Sequence, residues 1–129
     1  MLLDTHVVLW LLTDDPRLGP RARERLERAG QRLVSTVSLW EMAIKVDLGR
    51  LVVPDALPAR ITGAGLDWLL PAAEHTWAVR GVRGLPHRDP FDRLLLAQAS
   101  VERLPFLTAD QVLLDAVVEP AVAMVDARR

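Results

Sequence analysis

Two apolar patterns alternate along the chain: short unbroken runs of strand length, and longer stretches in which apolar residues return at helical spacing. Met1 to Leu3 predicts a short strand closed by Asp4. Val7 to Leu12 then predicts a buried helix, ended by the turn-rich Thr13-Asp14-Asp15-Pro16. Pro20 to Ala29 reads as a helix with proline in its first turn and Gly30 past its end. A second strand is expected over Arg32 to Ser35, followed by a helix over Val37 to Leu48 that Gly49 stops. Pro54 and Pro58 bracket a short helix starting near Asp55, Leu66 to Leu70 predicts a brief strand, and Ala73 to Val82 another helix. The strongest start signal is Asp89-Pro90, an N-cap followed by proline at the first helical position, with Phe91, Leu94, Leu95, Gln98 and Val101 on one broad face. Pro105 to Thr108 predicts a strand, Ala109 to Val117 a helix, and Ala121 to Val125 a last strand. This alternation predicts an α/β fold, a parallel sheet covered by helices on both faces with right-handed crossovers.

At 129 residues the chain is expected to form a single domain over 1–129, since two cores would each be marginal. Half the residues are hydrophobic and 26% are charged, the profile of a packed globular protein. The absence of cysteine removes disulfides, thiolate metal sites and cysteine nucleophiles, so a metal would have to be held by oxygen or by one of three histidines. The apolar start lacks a basic leader and carries Asp4 and His6, so it does not read as a signal peptide. No apolar run approaches the ~18 residues of a membrane span, and a cytoplasmic protein without membrane contact is expected. The formal net charge of -1 announces no polyanion partner, so any nucleic-acid site must be local.

Ligands of open α/β sheets gather beyond the carboxyl ends of the strands. Asp4 follows the first predicted strand, Asp110 follows Pro105 to Thr108, and Glu41 lies in the helix after Arg32 to Ser35. Asp92, in the first turn of the Asp89 helix, completes a cluster if that helix end reaches the same edge. Such acids suit hard cations such as Mg²⁺. Each also has a plainer role. Asp4, Asp89 and Asp110 are placed to cap helices, Asp92 to complement a helix dipole, and Glu41 to pair with Lys45 four residues on. His6 reads first as a core or supporting residue and second as a substrate contact, while His75 and His87 read as helix-start and loop residues. No zinc spacing, nucleophile elbow or glycine-rich phosphate loop occurs. Trp10, Trp40, Trp68 and Trp77 are expected in core or subunit packing rather than in base stacking.

Leu3-Asp4-Thr5-His6, Ser38-Leu39-Trp40-Glu41-Met42-Ala43-Ile44-Lys45, His87-Arg88-Asp89-Pro90-Phe91-Asp92-Arg93-Leu94-Leu95 and Thr108-Ala109-Asp110, in this order and spacing, resemble the PIN-domain ribonucleases, in particular the VapC-like toxins of type II toxin-antitoxin systems. The resemblance covers nearly the whole chain. It implies a three-layer α/β/α fold with a short, mainly parallel sheet, and Mg²⁺- or Mn²⁺-dependent cleavage of RNA. It also implies a homodimer and a cognate antitoxin protein. By motif, Asp4, Glu41, Asp92 and Asp110 become the catalytic and metal-binding quartet, Thr108 and Ser38 supporting residues, and Asp89 either a ligand or a cap. Arg93, Arg88, Lys45 and His6 are the substrate-contact candidates. Two other readings keep the fold: a metal-dependent DNA nuclease, and a non-catalytic PIN-like binding or regulatory module. The second leaves four repelling carboxylates without a physical purpose.

Overall fold

The computed structural model describes residues 1–129. The strands are β1 (Leu2–Leu3), β2 (Leu33–Ser35), β3 (Asp67–Leu69), β4 (Phe106–Thr108) and β5 (Met124–Asp126). They form one sheet in the order β3-β2-β1-β4-β5, and every neighbouring pair is parallel. The helices are α1 (Thr5–Leu12), α2 (Pro20–Arg28), α3 (Thr36–Asp47), α4 (Leu57–Gly63), α5 (Ala73–Ala78), α6 (Pro90–Val101) and α7 (Gln111–Asp115).

Strands of two or three residues suffice because the pleat divides each one between two cores. Leu3, Val34 and Leu107 point into a cluster with Val7, Leu18, Leu26, Met42 and Ile61, on the side of α1, α2 and α4. Leu2, Leu33 and Phe106 point the opposite way, to Leu95, Leu96 and Leu113 of α6 and α7. The register puts Leu2 beside both Leu33 and Phe106, and Leu3 beside both Val34 and Leu107, so each layer is continuous across the sheet. Five consecutive residues of α6, Leu95 to Ala99, are buried, the mark of a helix covered on all sides.

The structure moves several predicted boundaries. Helix α1 starts at Thr5, directly after Asp4, rather than at Val7. Helix α4 starts at Leu57 with Pro58 in its first turn; Ala56 before it is left-handed (φ 53°), which keeps Asp55 outside the helix. The stretch from Ala73 is regular only to Ala78 and tightens into a 3₁₀ turn over Val79–Gly81. Helix α7 is shorter than predicted, because Asp110 is spent as its cap at one end and Ala116 turns extended at the other. The last strand begins at Met124, opposite Phe106, rather than at Ala121.

Of the four tryptophans expected in core or subunit packing, Trp10 and Trp68 pack against the core, and Trp40 and Trp77 do not. Trp40 is 58% exposed and Trp77 68% exposed, and Trp10 and Trp68 are half-buried. On α3 the buried face is taken by Val37, Ser38, Glu41 and Met42, which turns Trp40 outward, edge-on to Phe91 with ring centroids 5.0 Å apart.

The loop before Asp89 is anchored by a short antiparallel bridge. Arg83 donates to the Glu119 carbonyl at 2.8 Å, and Glu119 donates back at 3.0 Å. Gly84 follows at φ +94°, where a Cβ would lie 2.0 Å from the Val117 carbonyl oxygen. Only glycine fits. Gly84→Ala should therefore lower stability by about 2 kcal/mol or more, read as a drop in Tm. An unchanged Tm would mean that the close approach to Val117 is absent.

Candidate active site

The chain runs from β1 outward to β2 and β3, then returns to the other side of β1 as β4. The strand order thus reverses between β1 and β4, where open α/β sheets form their crevice. Asp4 stands at the end of β1 and Thr108 at the end of β4, side by side at that point.

Asp4 is held from both sides. Its Oδ1 accepts the Thr5 backbone N–H at 2.8 Å, capping α1, and its Oδ2 accepts the Thr108 hydroxyl at 2.6 Å across the sheet. Thr108 Oγ1 also accepts the Asp110 N–H at 3.0 Å, fixing the turn that carries Asp110. Burial of Asp4 raises its carboxyl above the ordinary range; the hydrogen bonds from Thr108 and Thr5 oppose this, and the charge of Glu41 adds to it.

Glu41 is buried on α3 and reached by Thr5, whose hydroxyl donates to Oε1 at 2.9 Å. Thr5 Oγ1 also lies 3.0 Å from Ser38 Oγ. One hydroxyl has one proton, so with Thr5 donating to the carboxylate, Ser38 supplies the other hydrogen bond. Lys45 Nζ meets Glu41 Oε2 at 2.6 Å, so the expected helical ion pair forms. Ser35 caps α3 through Val37 N–H and donates to Gln98 Oε1 of α6 at 2.6 Å, tying the two helices together.

Helix α6 does reach the same edge. Burial, then the negative charges of Asp4, Asp89, Asp110 and Glu41, push the Asp92 carboxyl up to about 7. Asp89 is engaged as the N-cap, accepting Phe91 N–H at 2.9 Å and Asp92 N–H at 3.1 Å. Asp110 caps α7 through Val112 N–H at 2.9 Å. His87 Nδ1 accepts the Asp89 N–H at 3.2 Å, which leaves the proton on Nε2, 3.4 Å from Asp92 Oδ2.

The four side chains thus offer oxygen alone, the donor set of a hard divalent cation, and their mutual repulsion is what such a cation relieves. Their oxygens are spread more openly than those of Glu74, His75 and Glu102, whose ligand atoms all lie within 4.8 Å of one another. That tighter group is a structural clasp. His75 Nδ1 accepts Ala72 N–H at 2.9 Å, so Nε2 carries the proton and gives it to Glu102 Oε1 at 2.7 Å. A metal on Nε2 would leave the ring with no proton on either nitrogen.

Among the substrate-contact candidates, Arg93 turns away, its Nη2 donating to the Val79 carbonyl at 3.0 Å. Arg88 and His6 are exposed, and Lys45 is engaged with Glu41. Sequence reasoning assigns no part in the site to Thr5, His87 or His75. Thr5 was visible only as the residue after Asp4. His75 was read as a helix-start residue, and the structure buries it almost completely because Ala72 and Glu102 satisfy both ring nitrogens.

The sequence model of the PIN domain matches residues 1–118. The chain belongs to the PIN-domain family. Ribonuclease VapC22 of Mycobacterium tuberculosis is 31% identical to it over 122 residues, covering 86% of this chain and 87% of that protein. Two solved structures share its fold over 97% of this chain and 96% of theirs: VapBC2 from Rickettsia felis bound to a promoter DNA fragment (TM-score 0.65, 14% identity) and DNA-bound VapBC from Salmonella typhimurium (TM-score 0.66, 18% identity). A toxin-antitoxin complex from Klebsiella pneumoniae aligns over 84% of this chain and 85% of its own, with a TM-score of 0.54 and 18% identity. Family membership implies use of a divalent cation.

The raised Asp92 has a consequence for stability in this PIN domain. Its folded value of about 7 lies above the ordinary 3.8. Ionised Asp92 therefore destabilises the fold in full above the folded value, and the penalty fades as pH falls toward the ordinary one. In EDTA near pH 8, Asp92→Asn should be more stable than the parent by about 1–2 kcal/mol after allowance for solvent screening. That gain should shrink toward about pH 4, below which Asp92 is protonated in the folded and the unfolded state alike. A lower Tm for Asp92→Asn at the higher pH would contradict the crowding of charge around Asp92.

Proposed function

We propose that this PIN domain is a Mg²⁺- or Mn²⁺-dependent endoribonuclease acting in the cytoplasm as the toxin of a VapBC-like pair, held in check by a small cognate antitoxin protein and working as a homodimer. The observation that carries the reading is the convergence of Asp4, Glu41, Asp92 and Asp110 at the reversal of strand order, where burial and then the surrounding negative charges raise Asp92 to about 7. Kinship with a ribonuclease at 31% identity and the fold shared with three toxin-antitoxin complexes support it.

Asp4, Glu41, Asp92 and Asp110 are the residues that would hold the cation. When bound, such a cation activates water, orients the scissile phosphate and neutralises charge growing on the leaving oxygen. The protein's part is to prevent the donors from wandering. Thr108 and the α1 amide fix both oxygens of Asp4, and Thr5 and Lys45 fix those of Glu41. Asp89, spent on the first two free amides of α6, sets the rotation of the turn that presents Asp92. Arg88, exposed and adjacent in sequence to the Asp89 cap, is a basic side chain free to receive a phosphate.

Mn²⁺ at millimolar concentration should raise the Tm of the parent, because a ligand that prefers the folded state stabilises it. Asp92→Asn should lose metal-dependent cleavage of a structured RNA while remaining folded by circular dichroism. Asp89→Asn should keep a substantial fraction, since asparagine caps nearly as well as aspartate. A dead Asp89→Asn with an active Asp92→Asn would reverse the ligand assignment on α6.

Expressed alone, the chain should slow bacterial growth, and the Asp4→Asn variant should be harmless. Equal toxicity of Asp4→Asn would place the toxic activity outside this site.

A further inference from the structure

A cavity of about 700 Å³ borders the acidic centre and takes no part in holding its carboxylates. Asp110 and His6 line it together with Trp10, Arg17, Asp15 and Val52. Within it the Arg17 guanidinium lies over the Trp10 ring, with Cζ 4.9 Å from the centroid. Asp15 grips the edge of that plate: Arg17 Nε donates to Oδ1 at 3.0 Å and to Oδ2 at 3.2 Å, and Nη2 to Oδ2 at 2.7 Å. The Arg17 backbone N–H donates to the same carboxylate at 2.9 Å.

The clamp does two things. It fixes the plane of a side chain that would otherwise sample many rotamers, and it neutralises the charge that would make Arg17 a phosphate magnet. The hydrogen bonds from Arg17 hold the Asp15 carboxyl at about 2, so the clamp persists across neutral pH. What remains on offer is a flat, weakly hydrated face, backed by Trp10 and 67% exposed, with Nη1 making no hydrogen bond inside the protein. Val52, 95% exposed on the cavity wall, adds apolar surface.

A planar, nearly neutral platform next to a phosphodiester-cleaving centre matches the face of an unstacked base, which single-stranded RNA presents. We infer that this cavity is a nucleobase pocket, in which a base flanking the scissile phosphate stacks on the Arg17–Trp10 plate. The inference rests on the nuclease reading and adds a source of sequence or single-strand preference to it. Arg17 here binds substrate and takes no part in the chemistry.

The test uses the full-length protein with saturating Mn²⁺ and a single-stranded RNA oligonucleotide in which each base is removed in turn. In the parent, one abasic position at a fixed distance from the cut should raise KM roughly tenfold, within the range that stacking of one base supplies. Arg17→Ala, an exposed position whose variant should fold normally by circular dichroism, should raise KM on intact RNA by a similar factor with kcat near that of the parent. It should show no added loss on the abasic oligonucleotide. Arg17→Lys should behave like alanine, because it restores charge without the plane. Recovery by lysine would overturn stacking in favour of a phosphate contact. A parental KM for Arg17→Ala, or an Arg17→Ala loss additive with every abasic position, would overturn the pocket while leaving the nuclease reading intact. So would an Arg17→Ala variant that binds the co-expressed partner protein poorly and RNA normally. A parent that cleaves no RNA would overturn the nuclease reading and the pocket together.

Discussion

Negative charge forced together in a partly dry crevice is the constraint on which the rest of this structure turns. Asp4, Glu41, Asp92 and Asp110 come from four separate stretches of chain, and Asp89 adds its charge from the cap of α6. Left alone, such groups spread apart or take up protons. The fold answers with hydrogen bonds to the members it buries most deeply, and with a basic partner for Glu41. Asp92 is the member without such support from a hydroxyl or backbone amide, and it is also the one driven up to about 7.

The hydroxyls of Thr5, Ser38 and Thr108 matter for the same reason. Each is buried, and each joins a carboxylate or its neighbour to a different element. Together they link β4 to β1, and α1 to α3. A buried carboxylate stripped of such a donor keeps its desolvation penalty and loses its compensation, typically ~1–3 kcal/mol. The site and the packing of the sheet edge are therefore one structure, and the sheet needs only two or three residues per strand because the two cores on either face supply its cohesion.

An acidic centre is poorly matched to a polyanionic substrate. The formal net charge of -1 gives no global attraction to compensate, so attraction has to come from local groups and from the divalent cation that the family uses. A platform that works by stacking, as Arg17 on Trp10 offers, avoids the electrostatic conflict because a base face carries no net charge. The same fold recurs in solved structures at 14–18% identity, which is what two-sided apolar layering allows when volume and pattern are kept.

The alternation of strand and helix, the Asp89-Pro90 start signal and the three strand-following acids were legible in the sequence, because period, capping chemistry and strand ends are local properties. They were enough to predict the parallel sheet and to offer Asp4, Glu41 and Asp110 as candidates at one edge, while four separated motifs carried the likeness to one family. The arrival of α6 at the same edge as Asp4, the proton arrangement around Thr5 and Ser38, the clasp on His75, and the outward turn of Trp40 and Trp77 were decided only in three dimensions. Arg93 shows the difference most simply. One residue from Asp92 in sequence, it lies far enough around α6 to bond the Val79 carbonyl instead of facing the acids. Sequence records which groups are available; which of them share a crevice depends on the rotation and docking of whole helices, set by contacts between residues as far apart as Ser35 and Gln98.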